Sequence, residues 1–336
     1  MWGVGARGSL PPRRVAAAAV AAALALAAAG CGDDADEGQP DGPLADALAD
    51  VGGGGAHGSL GVGWAEPRLV RQRGGDAALV ADALGPNART VIEAAPVLRR
   101  RFRFDPLAAE RLISIGGSYA FGLRLDGVDG GRLESALTRR GARVQRAGRL
   151  ELADVGDYAV VPEPLLRSGV LGLGARDAFG RAVTVLAISD TARGSLLGRG
   201  DRLLDEPSYR AAADCLGDVV VARMVPDKLL LSTELGVNLV AMGVDGGREV
   251  LCVVGGTAER ADETAGALES SLAPDAREPR TGEPISDLVR AVDVESGRFE
   301  EVEVVRVELS LAERQPPGFL FDAVARGSLA ELIVGS

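Results

Sequence analysis

An alanine-rich apolar run near the N-terminus limits how much of this chain can fold as a domain. The run covers residues 15–29, and the only charged side chains before it are Arg7, Arg13 and Arg14. A positive segment followed by a short apolar segment and small residues is typical of a secretory signal. In a helix such a run spans ~22 Å, less than the ~30 Å hydrocarbon core of a bilayer. We therefore predict that residues 1–30 are an export signal and not part of the mature fold.

A cysteine follows the apolar run, and the residues around it predict lipid attachment. The sequence Ala28-Ala29-Gly30-Cys31 resembles the bacterial lipobox, although leucine is more usual at the first of these positions. The resemblance implies cleavage between Gly30 and Cys31 and acylation of Cys31. Because several acyl chains hold a protein to a bilayer more firmly than one chain does, we expect a stable anchor. The expected location is the extracytoplasmic face of the cell membrane, with the bilayer as a partner through Cys31.

Two alternatives stay open at the N-terminus. An ordinary signal with an incidental cysteine needs only the apolar run and the small residues before the cut. The pair Arg13-Arg14 resembles a twin-arginine signal, so the export route, Sec or twin-arginine, is not fixed.

The composition after the signal bounds the partners of the mature chain. Residues 31–58 are rich in Asp, Gly and Pro without apolar periodicity, which predicts a flexible tether. Without the three arginines of the signal, 34 basic residues remain against 48 acidic ones, a net charge of −14. A chain this acidic repels nucleic acid and anionic headgroups, so we expect no nucleic-acid partner and no charge-driven membrane binding.

The cysteine count after the signal predicts a disulfide. Apart from Cys31, the chain contains Cys215 and Cys252. An even pair in an exported domain favours a bond between them. Closing a loop of this length would stabilise the fold by roughly 3–4 kcal/mol in the chain-entropy model. Two buried free thiols remain the alternative, because a sequence does not give the distance between their Cα atoms.

Local patterns predict alternating strands and helices. Residues 118–125 alternate between apolar side chains and small or charged ones, which predicts a strand with one packed and one wet face. A turn at 245–247 between two apolar runs predicts a hairpin, and Thr257 is suited to cap the helix that follows. Helices are also predicted for 106–112 and 285–292.

The order of these elements predicts an α+β fold in two halves. Each half is expected to be a mainly antiparallel sheet with helices packed on one face. The boundary is placed in the irregular stretch around 198–201, giving a first domain at 59–202 and a second at 203–336. The hexapeptide Gly-Val-Asp-Gly-Gly-Arg occurs at 127–132 and 243–248, but one copy opens a helix and the other turns a hairpin. It therefore does not by itself indicate a repeat.

The sequence contains few of the side chains that make a reaction centre. His57 is the only histidine, so histidine-based catalysis and zinc binding have a single starting residue. We expect no catalytic centre, no metal site and no cofactor. Paired carboxylates are the remaining route to hydrolysis, since two suffice for a glycosidase. The acids that lie near predicted strand ends are Asp105, Asp126, Asp154 and Asp157.

Three segments together resemble a known group of proteins. The lipobox start, Phe104-Asp105-Pro106 and the segment 213–219 (Ala-Asp-Cys-Leu-Gly-Asp-Val) are similar to uncharacterised lipoproteins of actinobacteria. The resemblance implies an envelope location and supplies no activity or binding residues.

These observations favour a membrane-anchored binding or structural module of the cell envelope. Its partner would be an unknown envelope protein or an apolar ligand. The alternatives are a carrier of lipid or another apolar ligand with an internal cavity, and a carboxylate-based hydrolase.

Overall fold

The computed structural model describes most of the chain after the predicted signal. The described residues are 40–53, 61–116, 121–139, 143–144, 150–151, 170–187, 189–230 and 236–334. Residues 40–336 belong to one compact unit. The predicted cleavage and lipidation site at Gly30 and Cys31 lies outside the described residues, as do His57, Asp154 and Asp157. None of the helices in these ranges combines the length and the apolar character needed to cross a membrane.

Ten strands form one antiparallel sheet. In chain order they are β1 (Gly61–Ala65), β2 (Arg111–Gly116), β3 (Phe121–Asp126), β6 (Val170–Arg176), β7 (Ala182–Ala187), β8 (Val221–Pro226), β9 (Leu239–Asp245), β10 (Arg248–Val254), β11 (Val289–Phe299) and β12 (Val302–Leu311). Their spatial order is β11-β12-β10-β9-β8-β1-β2-β3-β7-β6. The two remaining strands, β4 (Arg143–Val144) and β5 (Leu150–Glu151), pair with each other.

Helices connect the strands. They are α1 (Pro43–Ala49), α2 (Pro67–Gln72), α3 (Ala77–Leu84), α4 (Pro86–Glu93), α5 (Ala95–Phe102), α6 (Gly130–Thr138), α7 (Asp190–Leu196), α8 (Pro207–Leu216), α9 (Asp227–Leu230), α10 (Ala258–Ser271), α11 (Ile285–Leu288), α12 (Phe319–Arg326) and α13 (Leu329–Val334). Short 3-10 turns occur at Pro106–Ala108 and Leu203–Asp205.

The helices cover both faces of the sheet. Face A packs against α3–α6 and α10–α13 and contains Leu123, Met242 and Val307. Face B packs against α1, α7 and α8 and contains Trp64 and Cys252. The prediction of an α+β fold with mainly antiparallel strands is confirmed, whereas the prediction of helices on one face is corrected to a three-layer arrangement. The reason is that strands such as β9 and β10 are buried along almost their whole length, so neither face can be left to water.

The two halves have the same strand order. The first contributes β1-β2-β3-β7-β6 and the second β8-β9-β10-β12-β11, so the fifth strand of each half lies between the third and the fourth. The halves meet through antiparallel pairing of their first strands, in which Gly63 lies opposite Arg223. The boundary predicted at 202/203 therefore falls between two blocks of like topology, but the blocks share one sheet and one compact unit. The hexapeptide copies do not mark this symmetry, because one follows β3 and the other joins β9 to β10.

Part of the predicted tether belongs to the folded unit. Leu44 and Leu48 of α1 are buried in the face B core. The N–H of Gly52 donates to Ser195 O at 2.8 Å, and the N–H of Gly53 donates to Asp201 O at 2.6 Å. A tether over 31–58 is thus corrected for residues 40–53, and residues 31–39 and 54–58 lie outside the described chain. A Cβ on Gly52 would overlap the Arg199 carbonyl, so glycine permits this close contact and does not mark a joint there.

Several local predictions are confirmed and two are wrong. The hairpin of β9 and β10 and the cap at Thr257, whose side chain accepts from Arg260 N–H, are as predicted. The helix predicted for 106–112 is only the 3-10 turn Pro106–Ala108, because β2 begins at Arg111 and pairs with β1 and β3. The helix predicted for 285–292 ends at Leu288, where β11 begins. In both cases sheet pairing prevails over local propensity.

The predicted disulfide is present. Cys215 of α8 and Cys252 of β10 are bonded, with their Cα atoms 6.2 Å apart. The bond closes a loop with a sequence separation of 37 residues and attaches α8 to face B. In the chain-entropy model such a closure stabilises the fold by roughly 3–4 kcal/mol. The alternative of two free thiols is thereby excluded for this structure.

Candidate functional site

A groove of about 600 Å³ opens on face A where the two halves of the sheet meet. Its floor is formed where β1 begins, β2 ends and β8 ends. Its walls are the turn between α3 and α4, the side chain of Leu229 on α9, and Val324 and Ala325 of α12. Pro86, Asn87, Leu229 and Ala325 are all solvent-exposed, so the space is an open groove and not a sealed cavity. Its volume lies within the range of small-molecule sites.

Close packing of α3 on the sheet shapes one wall of this groove. A Cβ on Gly63 would lie 2.5 Å from the Ala83 carbonyl oxygen and 2.6 Å from Leu84 Cα, so only glycine lets the end of α3 lie directly on β1. Ser114 Oγ donates to Leu84 O at 2.7 Å and fixes the same contact. Gly85, with φ of 85°, then ends α3 and turns the chain directly into α4.

Two guanidinium groups and one carboxylate make up the charges of the groove. Arg89 forms an ion pair with Asp82. Arg223 is partly buried, and within the described part of the chain it makes one weak hydrogen bond, from Nη1 to the backbone oxygen of Asp82 at 3.5 Å. Burial, followed by repulsion from Arg89, lowers the pKa of Arg223. The described residues that line the groove thus carry a net charge of +1 in a strongly acidic protein, and none of their carboxylates is paired with Arg223.

The start of α4 adds to the positive character of this wall. Gly85, Pro86 and Asn87 line the groove, and no side chain caps the N-terminus of α4. Uncapped N–H groups in the first turn carry the positive end of the helix dipole. They lie beside Arg223, whose Cζ is 3.8 Å from the position that a Cβ of Gly85 would occupy.

The rest of the groove is largely apolar. Phe121, Val225, Leu229 and Val324 line it, and Leu229 is 39% exposed although it is a large apolar side chain. Exposed apolar surface next to a few polar groups is typical of ligand-binding grooves. The groove therefore offers one end that attracts an anion and one that favours hydrocarbon.

A second polar region lies at the opposite end of the same strands, on face B. It is an ion-pair network, and its members are Asp50, Arg111, Arg124, Asp126, Asp177 and Arg181. Arg124 is fully buried and donates to Asp126 Oδ1 at 2.7 Å, to Asp177 Oδ2 at 3.0 Å and to Leu196 O at 3.1 Å. The network joins the end of α1 to β2, β3 and the β6–β7 turn, so we interpret it as structural.

Within the network, Asp177 is held in its ionised form. Burial alone would raise the pKa of Asp177, but hydrogen bonds from Arg181 and the charges of Arg181 and Arg124 outweigh it and lower that pKa. Asp126 accepts from Arg124 through one oxygen and from Arg111, at 2.8 Å, through the other. Carboxylates bound in this way are poor candidates for proton transfer.

Glu66 differs from these acids. It lines the solvent-accessible space beside the network, and burial raises its pKa against the opposing charge of Arg111.

Of the four acids proposed from the sequence for hydrolysis, the two described ones, Asp105 and Asp126, are not brought together. Asp105 caps the 3-10 turn by accepting from Leu107 N–H, and Asp126 belongs to the network. Asp154 and Asp157 lie outside the described residues. Within the described ranges, no group of three or more His, Cys, Asp or Glu side chains is arranged to hold a metal ion.

Neither Arg223 nor the groove could be predicted from the sequence. Arg223 lies in an apolar run that predicts a strand, where one arginine gives no signal of its own. Only the pairing of β1 with β8 brings it beside Gly63 and the α3–α4 turn.

No family model, no curated protein sequence and no solved structure matches the chain.

Proposed function

We propose that this chain is an exported, lipid-anchored module of the cell envelope that binds a small ligand in the groove between its two halves. The observation on which the proposal depends is an open groove of about 600 Å³ that combines the exposed side chain of Leu229 with an arginine that has no carboxylate partner among the described residues. Such a combination is unfavourable in an empty site, since both the apolar surface and the guanidinium gain by contact with a ligand.

The proposed location is supported by the N-terminal sequence and by the disulfide. The segment ending in Gly30-Cys31 has the features of a lipoprotein signal. The bond between Cys215 and Cys252 suits an oxidising compartment, because disulfides are rare in proteins of the cytosol.

Binding is favoured over the alternatives by the form of the groove. A carrier that encloses its cargo needs a closed cavity, whereas this groove is lined by exposed residues. A carboxylate-based hydrolase needs two available acids in one cleft. The one acid in the groove, Asp82, is paired with Arg89.

Anchoring is tested by replacing the predicted lipid-bearing residue. Cys31→Ala should release the protein from membranes and abolish labelling by a fatty-acid probe, while the neighbouring Gly32→Ala should leave both unchanged. Membrane retention of Cys31→Ala would contradict acylation at this residue.

Ligand binding is tested on protein purified from its own envelope. Native mass spectrometry should show an added mass on the wild-type chain. Ala325→Trp should lose this mass, because Ala325 is exposed on the wall and a large side chain there fills the groove without entering the core. The control is Glu269→Trp on α10, an exposed position away from the groove, which should keep the added mass. An added mass retained by Ala325→Trp would place the ligand elsewhere.

A further inference from the structure

The charges of the groove define what its ligand should carry. Arg223 is partly buried, its one hydrogen bond to the described residues is weak, and the charge that lowers its pKa is that of another arginine, Arg89. A guanidinium in this setting has donors left over, and a planar fork of donors matches a carboxylate or a phosphate. The acid in the groove cannot serve this role, because Asp82 is paired with Arg89.

The position of Arg223 directs the anionic group to one end of the groove. Its guanidinium lies beside Gly85, at the uncapped start of α4. An oxyanion bound there would meet the guanidinium and the positive end of the helix dipole together. The proposal depends on the arginine and the groove, and the helix end only adds to the field.

The apolar side chains of the groove indicate that the ligand also carries a hydrocarbon chain. Phe121, Val225 and Leu229 line the groove; Phe121 and Val225 are buried apart from a small fraction, and Leu229 is 39% exposed, so Leu229 supplies most of the open apolar surface of these three. Covering such surface with hydrocarbon removes it from water at a gain of about 25 cal/mol per Å². A small anion without a hydrocarbon chain would leave this surface bare.

Building on the proposed function, we infer that the groove binds an anionic amphiphile, a molecule with a carboxylate or phosphate monoester head at Arg223 and a hydrocarbon chain along Phe121, Val225 and Leu229. The chemistry is shared by fatty acids and by alkyl phosphates. The groove offers an anion a local excess of positive charge in a chain whose overall charge is negative.

The inference is tested by calorimetric titration of the mature protein in zwitterionic nanodiscs, with empty nanodiscs as the blank. The probes are octanoate, octanamide, octyl phosphate and inorganic phosphate, each below its micelle concentration where it has one. Octanoate or octyl phosphate should bind about 10- to 100-fold more tightly than octanamide, which has the same chain length without the charge. The tighter of the two acids identifies the head group, and inorganic phosphate should bind more weakly than octyl phosphate because it lacks the chain.

Variants separate the head from the chain. Arg223→Met should remove the preference for the acids and leave octanamide binding unchanged, while exposed Arg290→Met, on the outer strand β11, should behave as wild type. Ala325→Trp should abolish binding of every octyl probe.

The outcomes distinguish this inference from the proposed function. Equal binding of octanoate, octyl phosphate and octanamide, blocked by Ala325→Trp, would overturn the anionic ligand and leave the groove as a binding site. Binding of inorganic phosphate as tight as that of octyl phosphate would overturn the role of the hydrocarbon chain. Absence of binding by all four probes would overturn the inference, while an envelope ligand lost from Ala325→Trp would still uphold the proposed function.

Discussion

The ion-pair network and the groove each contain an arginine, but the two arginines differ in their burial and in their hydrogen-bond partners. Arg124 is completely buried, and three acceptors surround it, two of them carboxylates. Arg223 is only partly buried, yet the backbone oxygen of Asp82, at 3.5 Å, is its sole hydrogen-bond acceptor among the described residues. Strand β2 connects the two regions, since it begins with Arg111 in the network and ends with Gly116 in the groove.

The difference shows how local charge balance separates a structural role from a binding role. In the network three arginines face three aspartates, so the desolvation of each charge is offset inside the protein. In the groove the second arginine adds repulsion where a carboxylate would be needed. A charge left without compensation at an open site is the one that a ligand can stabilise.

Removing the buried arginine tests the structural half of this comparison and should have the largest effect. Arg124→Met should lower the free energy of unfolding by about 3–5 kcal/mol, because it leaves buried carboxylates without their partner. Chemical denaturation measures the loss, and exposed Arg290→Met is the control with little change. A loss below about 1 kcal/mol would mean that the network does not hold the fold together.

Glu249 sharpens the comparison, because it is a buried carboxyl group whose hydrogen-bond donors among the described residues are backbone N–H groups. Its carboxylate accepts from the N–H groups of Gly318, Phe319 and Leu320, at 2.5, 2.9 and 2.8 Å, and so caps α12. Glu249→Gln turns one acceptor into a donor and should cost about 1–3 kcal/mol by denaturation. Exposed Glu269→Gln is the matched control. An unchanged stability would show that these N–H groups do not need the carboxylate.

The pH dependence of stability should separate Asp177 from Glu249. The pKa of Asp177 is lowered in the fold, so its contribution is present above the unfolded pKa of about 4 and is lost as the pH falls through the folded value. Burial raises the pKa of Glu249, although three N–H groups donate to it. Its contribution to stability is therefore present below the unfolded pKa and is lost as the pH rises through the folded value. Denaturation between pH 3 and pH 7 should show Asp177→Asn and Glu249→Gln changing the slope in opposite directions. A common direction would contradict one of the two assignments.

The smallest expected effect tests the binding half of the comparison. Arg223→Met should change the free energy of unfolding by no more than about 0.5 kcal/mol without ligand, because the arginine has little to lose inside the protein. The same denaturation series should include Arg124→Met, and the loss of unfolding free energy should be severalfold larger for Arg124→Met than for Arg223→Met. A loss for Arg223→Met as large as that for Arg124→Met would make the groove arginine structural.

Much of the local structure could be predicted from the sequence, and the candidate site could not. Three features could be predicted because they depend on residues that are close in sequence or few in number. They are the hairpin at 245–247, the cap at Thr257 and the bond between Cys215 and Cys252. Alternation over 118–125 predicted a strand whose Arg124 faces water, and β3 is a strand from Phe121 to Asp126. The burial of Arg124 escaped prediction because its partner Asp177 comes from a turn more than fifty residues away.

By itself, the sequence determined the antiparallel α+β character of this protein, because the period of apolar side chains and the turn residues act within a few positions of each other. It also carries the N-terminal pattern from which the anchor at Cys31 is proposed. Only the tertiary structure decided that the two halves share a sheet, that Gly63 lies opposite Arg223, and that one arginine is paired while another is left for a ligand. These features depend on contacts between residues more than fifty positions apart, and no local pattern specifies which distant charge will meet which.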